Sequence, residues 1–187
     1  MPEKSRCGWC LKDDLYKDYH DNEWGKAEHD DAKLFEMLLL EGAQAGLSWY
    51  TILKKREAYR KAFDGFDPEL IAVYGDDKRE ELARDKGIVR NKLKINAFIE
   101  NAKAYLKVKK EFGTFDKFIW QFTDHKQIVN HPKDLSEVPA ITPEAEAMSK
   151  ELKKRGFKFV GPTICYAFMQ AVGMVDDHVE TCYLKKK

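Results

Sequence analysis

The sequence predicts an all-α fold. Apolar residues recur at helical spacing almost from end to end, strict two-residue alternation hardly occurs, and capping or proline signals stand where each apolar stripe begins. Asp30 and Asp31 open a helix carrying Leu34, Phe35, Leu38 and Leu39, and Ser48 caps a second with Ile52, Leu53, Tyr59 and Phe63 along one stripe. Asp67-Pro68 puts proline at a first helical position before Leu70, Ile71 and Tyr74, and Asp76 opens a short segment that reaches Leu82 and stops near Gly87. Leu93, Phe98, Ala102 and Tyr105 mark a longer amphipathic helix; Phe115, Phe118, Ile119 and Phe122 mark another. Thr142-Pro143 opens one that ends near Gly156, and Gly161-Pro162 opens an apolar one that ends near Gly173. The result is about eight helices. The polar stretch Asp124 to Ala140 reads as a long surface loop that does not divide the chain, so residues 1–187 are expected to form a single helical domain. The two ends are weakly periodic yet hold Trp9, Trp24 and most of the cysteines, so something other than a deep core is expected to order them.

Hydrophobic residues make up 43% and charged residues 35% of the chain, enough for a real core under a solvated surface. That excludes a disordered tail protein. No apolar run approaches eighteen residues, and Met1 to Arg6 lacks the apolar stretch of a secretory signal; the expectation is a soluble, cytoplasmic protein with no membrane partner. With 33 basic and 32 acidic residues there is no global field to attract a polyanion, so any nucleic-acid binding must use a local patch. In a reducing compartment Cys7, Cys10, Cys165 and Cys182 are thiols or metal ligands, and Cys165 falls in the apolar run Thr163 to Ala171 as a core residue.

Cys7-Gly-Trp-Cys10 admits a redox pair or half of a zinc site, and the absence of a strand before it speaks against the redox reading. His178 and Cys182, four residues apart, converge if they lie on one helix and would make the other half. The ends also supply Cys10, His20 and His29, and spacing alone does not choose four ligands; His178 packing near Asp176 and Asp177 is the alternative. His125 and His131 read as solvated.

Leu82 to Ile95 has the form of two helices joined by a tight glycine turn at Gly87, a helix-hairpin-helix candidate. In such a hairpin, backbone N–H groups at the second helix's start hold a phosphate. Arg90, Lys92 and Lys94 would add charge; an ordinary helix end explains Gly87 as well, and Val89 stands where a second glycine is usual. The other basic clusters, such as Lys54-Lys55-Arg56, read as solvated faces. In Leu38 to Trp49, Glu41 ends a strongly apolar helix ahead of two glycines, and its carboxylate is either paired, capping or awaiting a ligand. Trp49 could stack on a flat ligand there.

These strings, with Arg6-Cys7-Gly8-Trp9, Tyr19 to Gly25, Leu53 to Arg56, Gly87 to Arg90, Lys154 to Gly161 and Asp177-His178, resemble the 3-methyladenine DNA glycosylase I family of bacteria over nearly the whole chain. The resemblance implies a helix-hairpin-helix fold and a monofunctional base-excision repair enzyme that flips 3-methyladenine out of double-stranded DNA and hydrolyses it off, leaving an abasic site. It also implies one structural zinc on Cys7, His20, His178 and Cys182, joining the termini at residues 1–30 and 174–187. Glu41 and Tyr19 would hydrogen-bond the base as the catalytic pair, Trp49 would stack on it, and Trp9, Tyr16 and Trp24 would form aromatic walls. Gly87, Val89 and Arg90 would meet DNA phosphate, free 3-methyladenine would be the product, and the protein would act as a monomer. The catalytic aspartate common in helix-hairpin-helix glycosylases is missing from the family resembled, and no aspartate is nominated. A zinc-stapled DNA-binding protein without chemistry and a dithiol oxidoreductase are the competing readings.

Overall fold

The computed structural model describes residues 4–186; Met1 to Glu3 of the charged start and Lys187 of the final lysine run lie outside the described residues. Most helices begin where a side chain takes up N–H groups that the first turn leaves unbonded. Asp13 opens α1 (Asp14–Asn22), Asp30 opens α2 (Asp31–Gln44), Ser48 opens α3 (Trp49–Ala62) and Asp67 opens α4 (Pro68–Ala72). α5 (Asp76–Arg84) has no side-chain cap, but Asp76 and Asp77 place negative charge at its positive dipole end. Asn91 caps α6 (Lys92–Phe112), Thr114 caps α7 (Phe115–Trp120) and Thr142 caps α8 (Pro143–Lys154), while α9 (Pro162–Ala171) starts on its proline after Gly161.

The apolar stripes meet around α2, whose Leu34, Phe35, Leu38, Leu39 and Leu40 are all fully buried and which packs against α3, α6, α7 and α9. The ring pair Phe35–Tyr105 at 4.4 Å ties α6 to α2, and Phe63–Phe98 at 4.7 Å ties it to the end of α3. Each such side chain contributes about 1.5–3 kcal/mol of transfer free energy, and this core fixes the last turn of α2, where Glu41 sits. Cys165 is buried with its thiol toward the Val160 carbonyl, a core residue as expected.

The structure corrects four expectations. Residues 124–140 are not merely a surface loop, because Ile128–Val129 (β1) pairs in parallel with Val175–Asp176 (β2), Ile128 opposite Val175. Two residues per strand are too few to leave an alternation in the sequence. The ends have anchors of their own: α1 is helical, Cys7, Tyr19 and Trp24 join the core, and Gly25 and Glu28 donate backbone hydrogen bonds to Gln170 and Val172 at 2.9 and 3.0 Å. Tyr183 N–H reaches the Ser5 carbonyl at 2.8 Å, so the two ends also touch directly. His178 and Cys182 lie on no helix, so helical spacing does not bring their donor atoms to one face. Leu93 is 70% exposed rather than a core residue, since the stripe of α6 runs Ile95, Phe98, Ala102 and Tyr105 at steps of three and four and Leu93 falls outside it. No helix among the described residues is long and apolar enough to cross a membrane.

Candidate functional site

Glu41 stands in the last turn of α2, and the chain then turns through Gly46, whose φ of +75° suits a residue without a Cβ, into Ser48 and α3. Trp49, the first residue of α3, brings its ring to 5.4 Å from Tyr19 of α1. Trp9, just ahead of α1, lies 4.9 Å from Tyr16 and 5.1 Å from Trp24. The six base-pocket residues named from the sequence, Glu41, Tyr19, Trp49, Trp9, Tyr16 and Trp24, therefore surround one cavity of about 280 Å³. That volume is at the small end of ligand sites.

Three buried polar atoms of the cavity have no partner among the described residues of the protein. Glu41 is 3% exposed and its Oε2 has no partner, nor do Gln44 Oε1 and Trp49 Nε1. Burial without a countercharge pushes the Glu41 carboxyl up to about 8. Burial, and then Glu41, push the Tyr19 phenol well above its ordinary range, so its hydroxyl keeps its proton. Among the described lining residues Glu41 is the only carboxylate and none is a lysine. Aromatic faces with unpartnered acceptors suit a flat ring that carries N–H donors and positive charge. Sequence reasoning missed Gln44, Gln170, Leu135 and Val138 as lining residues. Gln44 sits inside the Leu40 to Trp49 run and could have been found there; Leu135 and Val138 come from the segment read as a surface loop and left no signal.

Lys94 was read as charge for a phosphate, and the structure turns it inward. It is 7% exposed and donates to the carbonyls of Ala43 and Ala45 at 2.8 and 2.6 Å. It thereby takes up acceptors that the C-terminus of α2 leaves open, and holds the turn between Glu41 and Trp49. Burial lowers its pKa.

Behind the aromatic wall, Cys7, His20 and Cys182 bring their donor atoms within 4.8 Å of one another. Tyr19 and His20 are neighbours on α1, so one helix serves both the cavity and this cluster. The His178 ring is 5.0 Å from that of His20, its Nδ1 bonds Asp176 at 2.7 Å, and its buried Nε2 has no partner. His20 likewise sets Nδ1 against Asp21 at 2.8 Å and turns Nε2 toward Cys182. Carboxylate-backed imidazoles beside two thiols are the donor chemistry of a tetrahedral metal site; among the described residues the converging set is Cys7, His20 and Cys182, and His178 stands next to it rather than in it. Cys10 is outside the cluster, its thiol donating to the Cys7 carbonyl at 3.1 Å.

At the hairpin, α5 and α6 are joined by residues 85–91 with Ile88 tucked into the core. At two of the three residues assigned to phosphate the backbone N–H has a partner inside the protein. Gly87 N–H donates to Asp85 Oδ1 at 2.7 Å and Val89 N–H to the Tyr59 hydroxyl at 3.2 Å, so these two groups are bonded within the protein. Gly87 also allows a close approach, because a Cβ there would lie 3.0 Å from the Ala58 Cβ on α3 and from Asp85 Oδ1. Arg90 is exposed beside the turn, as are Lys86 and Lys92.

With this geometry in hand, comparison with known proteins is decisive. A family model described as methyladenine glycosylase matches residues 9–186. The chain is 54% identical over 177 residues to DNA-3-methyladenine glycosylase 1 of Escherichia coli (strain K12), covering 95% of each protein. It is 51% identical over 181 residues to the DNA-3-methyladenine glycosylase of Haemophilus influenzae, covering 97% of this chain and 98% of that one. A crystal structure of 3-methyladenine DNA glycosylase I superposes with a TM-score of 0.95 at 49% identity, covering 97% of this chain and all of the other. A structure showing 3-methyladenine recognition by the Staphylococcus aureus glycosylase gives 0.94 at 38% identity, covering 97% of each chain. From its first tryptophan to its last described residue, this chain belongs to the methyladenine glycosylase family.

Proposed function

We propose that the protein is a monofunctional DNA glycosylase that removes 3-methyladenine from alkylated double-stranded DNA in the cytoplasm and leaves an abasic site. The observation that carries the reading is a buried, unpartnered Glu41 carboxylate on the floor of an aromatic box, in a chain of this family. A base inside a duplex must be rotated out before its bond to the sugar can be reached. N3 methylation makes adenine cationic, so the faces of Trp9, Trp24, Trp49, Tyr16 and Tyr19 favour it over neutral bases. The same charge lets the base leave neutral, so water can complete the reaction with little acid catalysis. The chain's contribution is to hold the flipped base: Glu41 accepts from its exocyclic amine and complements its charge, and Tyr19 adds a hydroxyl. With no lysine lining the cavity, a Schiff base and strand cleavage are not expected.

Residues 1–187 act as a single helix-hairpin-helix domain and as a monomer in this reading. One structural zinc on Cys7, His20, His178 and Cys182 joins the two ends, supported by the three converging donors and the orphaned His178 Nε2. When bound, it would fix the α1 register that carries Tyr16 and Tyr19. Arg90, with Lys86 and Lys92, supplies the charge toward DNA phosphate, on a turn shaped by Gly87 and Val89. Titration with free 3-methyladenine, the product, tests the pocket: saturable one-to-one binding that quenches tryptophan fluorescence is expected, and no binding would remove the base-recognition role from Glu41, Tyr19 and Trp49.

A further inference from the structure

We infer that Gln170 is a specificity residue of this pocket, locked by Asp177 so that its side-chain oxygen faces the ligand; the inference rests on the base-recognition reading above. Gln170 lies on α9 and lines the cavity. Its Nε2 donates to Asp177 Oδ2 at 2.8 Å. That carboxylate also accepts from the Tyr166 hydroxyl at 2.5 Å and from Asn130 Nδ2 at 2.8 Å. Burial, and then Asp177 itself, push the Tyr166 phenol far up, so it remains a donor.

A carboxylate that takes three donors offers the Gln170 amide nothing but an acceptor. The NH₂ end must face it, and the oxygen must face the other way. Among the described residues Oε1 of Gln170 receives no hydrogen bond. The amide cannot turn over without setting an oxygen against an oxygen inside the protein. Gln44 differs: its Oε1 is also unpartnered, but no carboxylate fixes its amide, so it can present either end. An adenine amine carries two hydrogens, Glu41 accepts one, and the fixed oxygen of Gln170 accepts the other. A ring with a carbonyl at that position would meet the oxygen of Gln170, which has no proton to give, whereas the Glu41 carboxyl, held up at about 8, can supply one. Discrimination thus comes from an acceptor that is unable to become a donor.

The test measures the affinities of free 3-methyladenine and 3-methylhypoxanthine, the same ring with a carbonyl at position 6, for wild type, Gln170→Met and Asp177→Asn. Wild type should prefer the amine. Gln170→Met should weaken 3-methyladenine by about three- to tenfold, the range of one neutral hydrogen bond, and leave 3-methylhypoxanthine unchanged or tighter. Asp177→Asn keeps Gln170 but frees its amide, and should lower the preference in the same direction. Unchanged ratios in both variants, or equal weakening of both bases, would overturn the inference and make Gln170 a packing residue. If wild type fails to bind 3-methyladenine at all, the base-recognition reading fails first and this inference falls with it.

Discussion

Replacing Glu41 by glutamine should stabilise the ligand-free protein at alkaline pH while weakening its ligand binding. The carboxyl is 3% exposed, and its proton affinity moves from the ordinary 4.5 up to about 8 because ionising it there strands a charge without a partner. Because the folded value is raised, the favourable contribution of the neutral acid is complete below about pH 4.5 and is lost as pH climbs through about 8. At about 1.4 kcal/mol per tenfold change in proton affinity, the ceiling on that loss is about 5 kcal/mol. The cavity opens toward solvent, so a loss on the order of 2 kcal/mol is the working expectation. Urea unfolding of both proteins at pH 5, 7 and 9 measures it. The wild-type midpoint should fall between pH 5 and pH 9 relative to the glutamine variant, whereas free 3-methyladenine should bind the variant about 1 to 3 kcal/mol more weakly, the worth of one charge-assisted hydrogen bond. Parallel midpoints at all three pH values would refute the claim that Glu41 is stranded, and equal affinities would remove it from recognition.

The remaining predictions concern the elements that hold the pocket in place. Cys7→Ser should lose a bound zinc and Cys10→Ser should keep it, by metal analysis of the purified proteins, since of these two sulfurs that of Cys7 alone belongs to the converging donors; the reverse would promote Cys10. Gly87→Val should cost about 1–3 kcal/mol of stability through contact with Ala58 and weaken binding to all duplexes alike, with Ala58→Gly restoring part of both. Unchanged DNA affinity in a folded Gly87→Val protein would return the segment to plain helix packing. Lys94→Met should uncap the end of α2 and lower 3-methyladenine affinity through the turn that carries Trp49, while leaving affinity for undamaged duplex unchanged; a loss of general DNA affinity instead would mean that the lysine reaches phosphate.

Much of this was legible in the chain because the signals were local. Asp30, Ser48, Asp67 and Thr142 announce their helices by chemistry that needs only the next three N–H groups. Glu41 and Trp49 stood out because a carboxylate after Leu38-Leu39-Leu40 has no solvent to face. What stayed hidden was tertiary. α1 turns Tyr16, Tyr19 and His20 toward a cavity and a donor cluster rather than into an aliphatic core, so its stripe is too polar to read as one. Lys94 looks like any lysine of a basic run until the end of α2 is brought against it. Gln170 and Asp177, seven residues apart, are joined only because the chain after α9 folds back along β2, and no periodicity marks that return.

Incubating the purified protein with methylated duplex DNA, and identifying both the released bases and the state of the strands, tests the central claim most directly. Free 3-methyladenine is expected in the soluble fraction, with the strands unbroken until alkali cleaves them at abasic sites. Release of no base by folded, metal-replete protein, or cleavage of the strand by the enzyme itself, would contradict it.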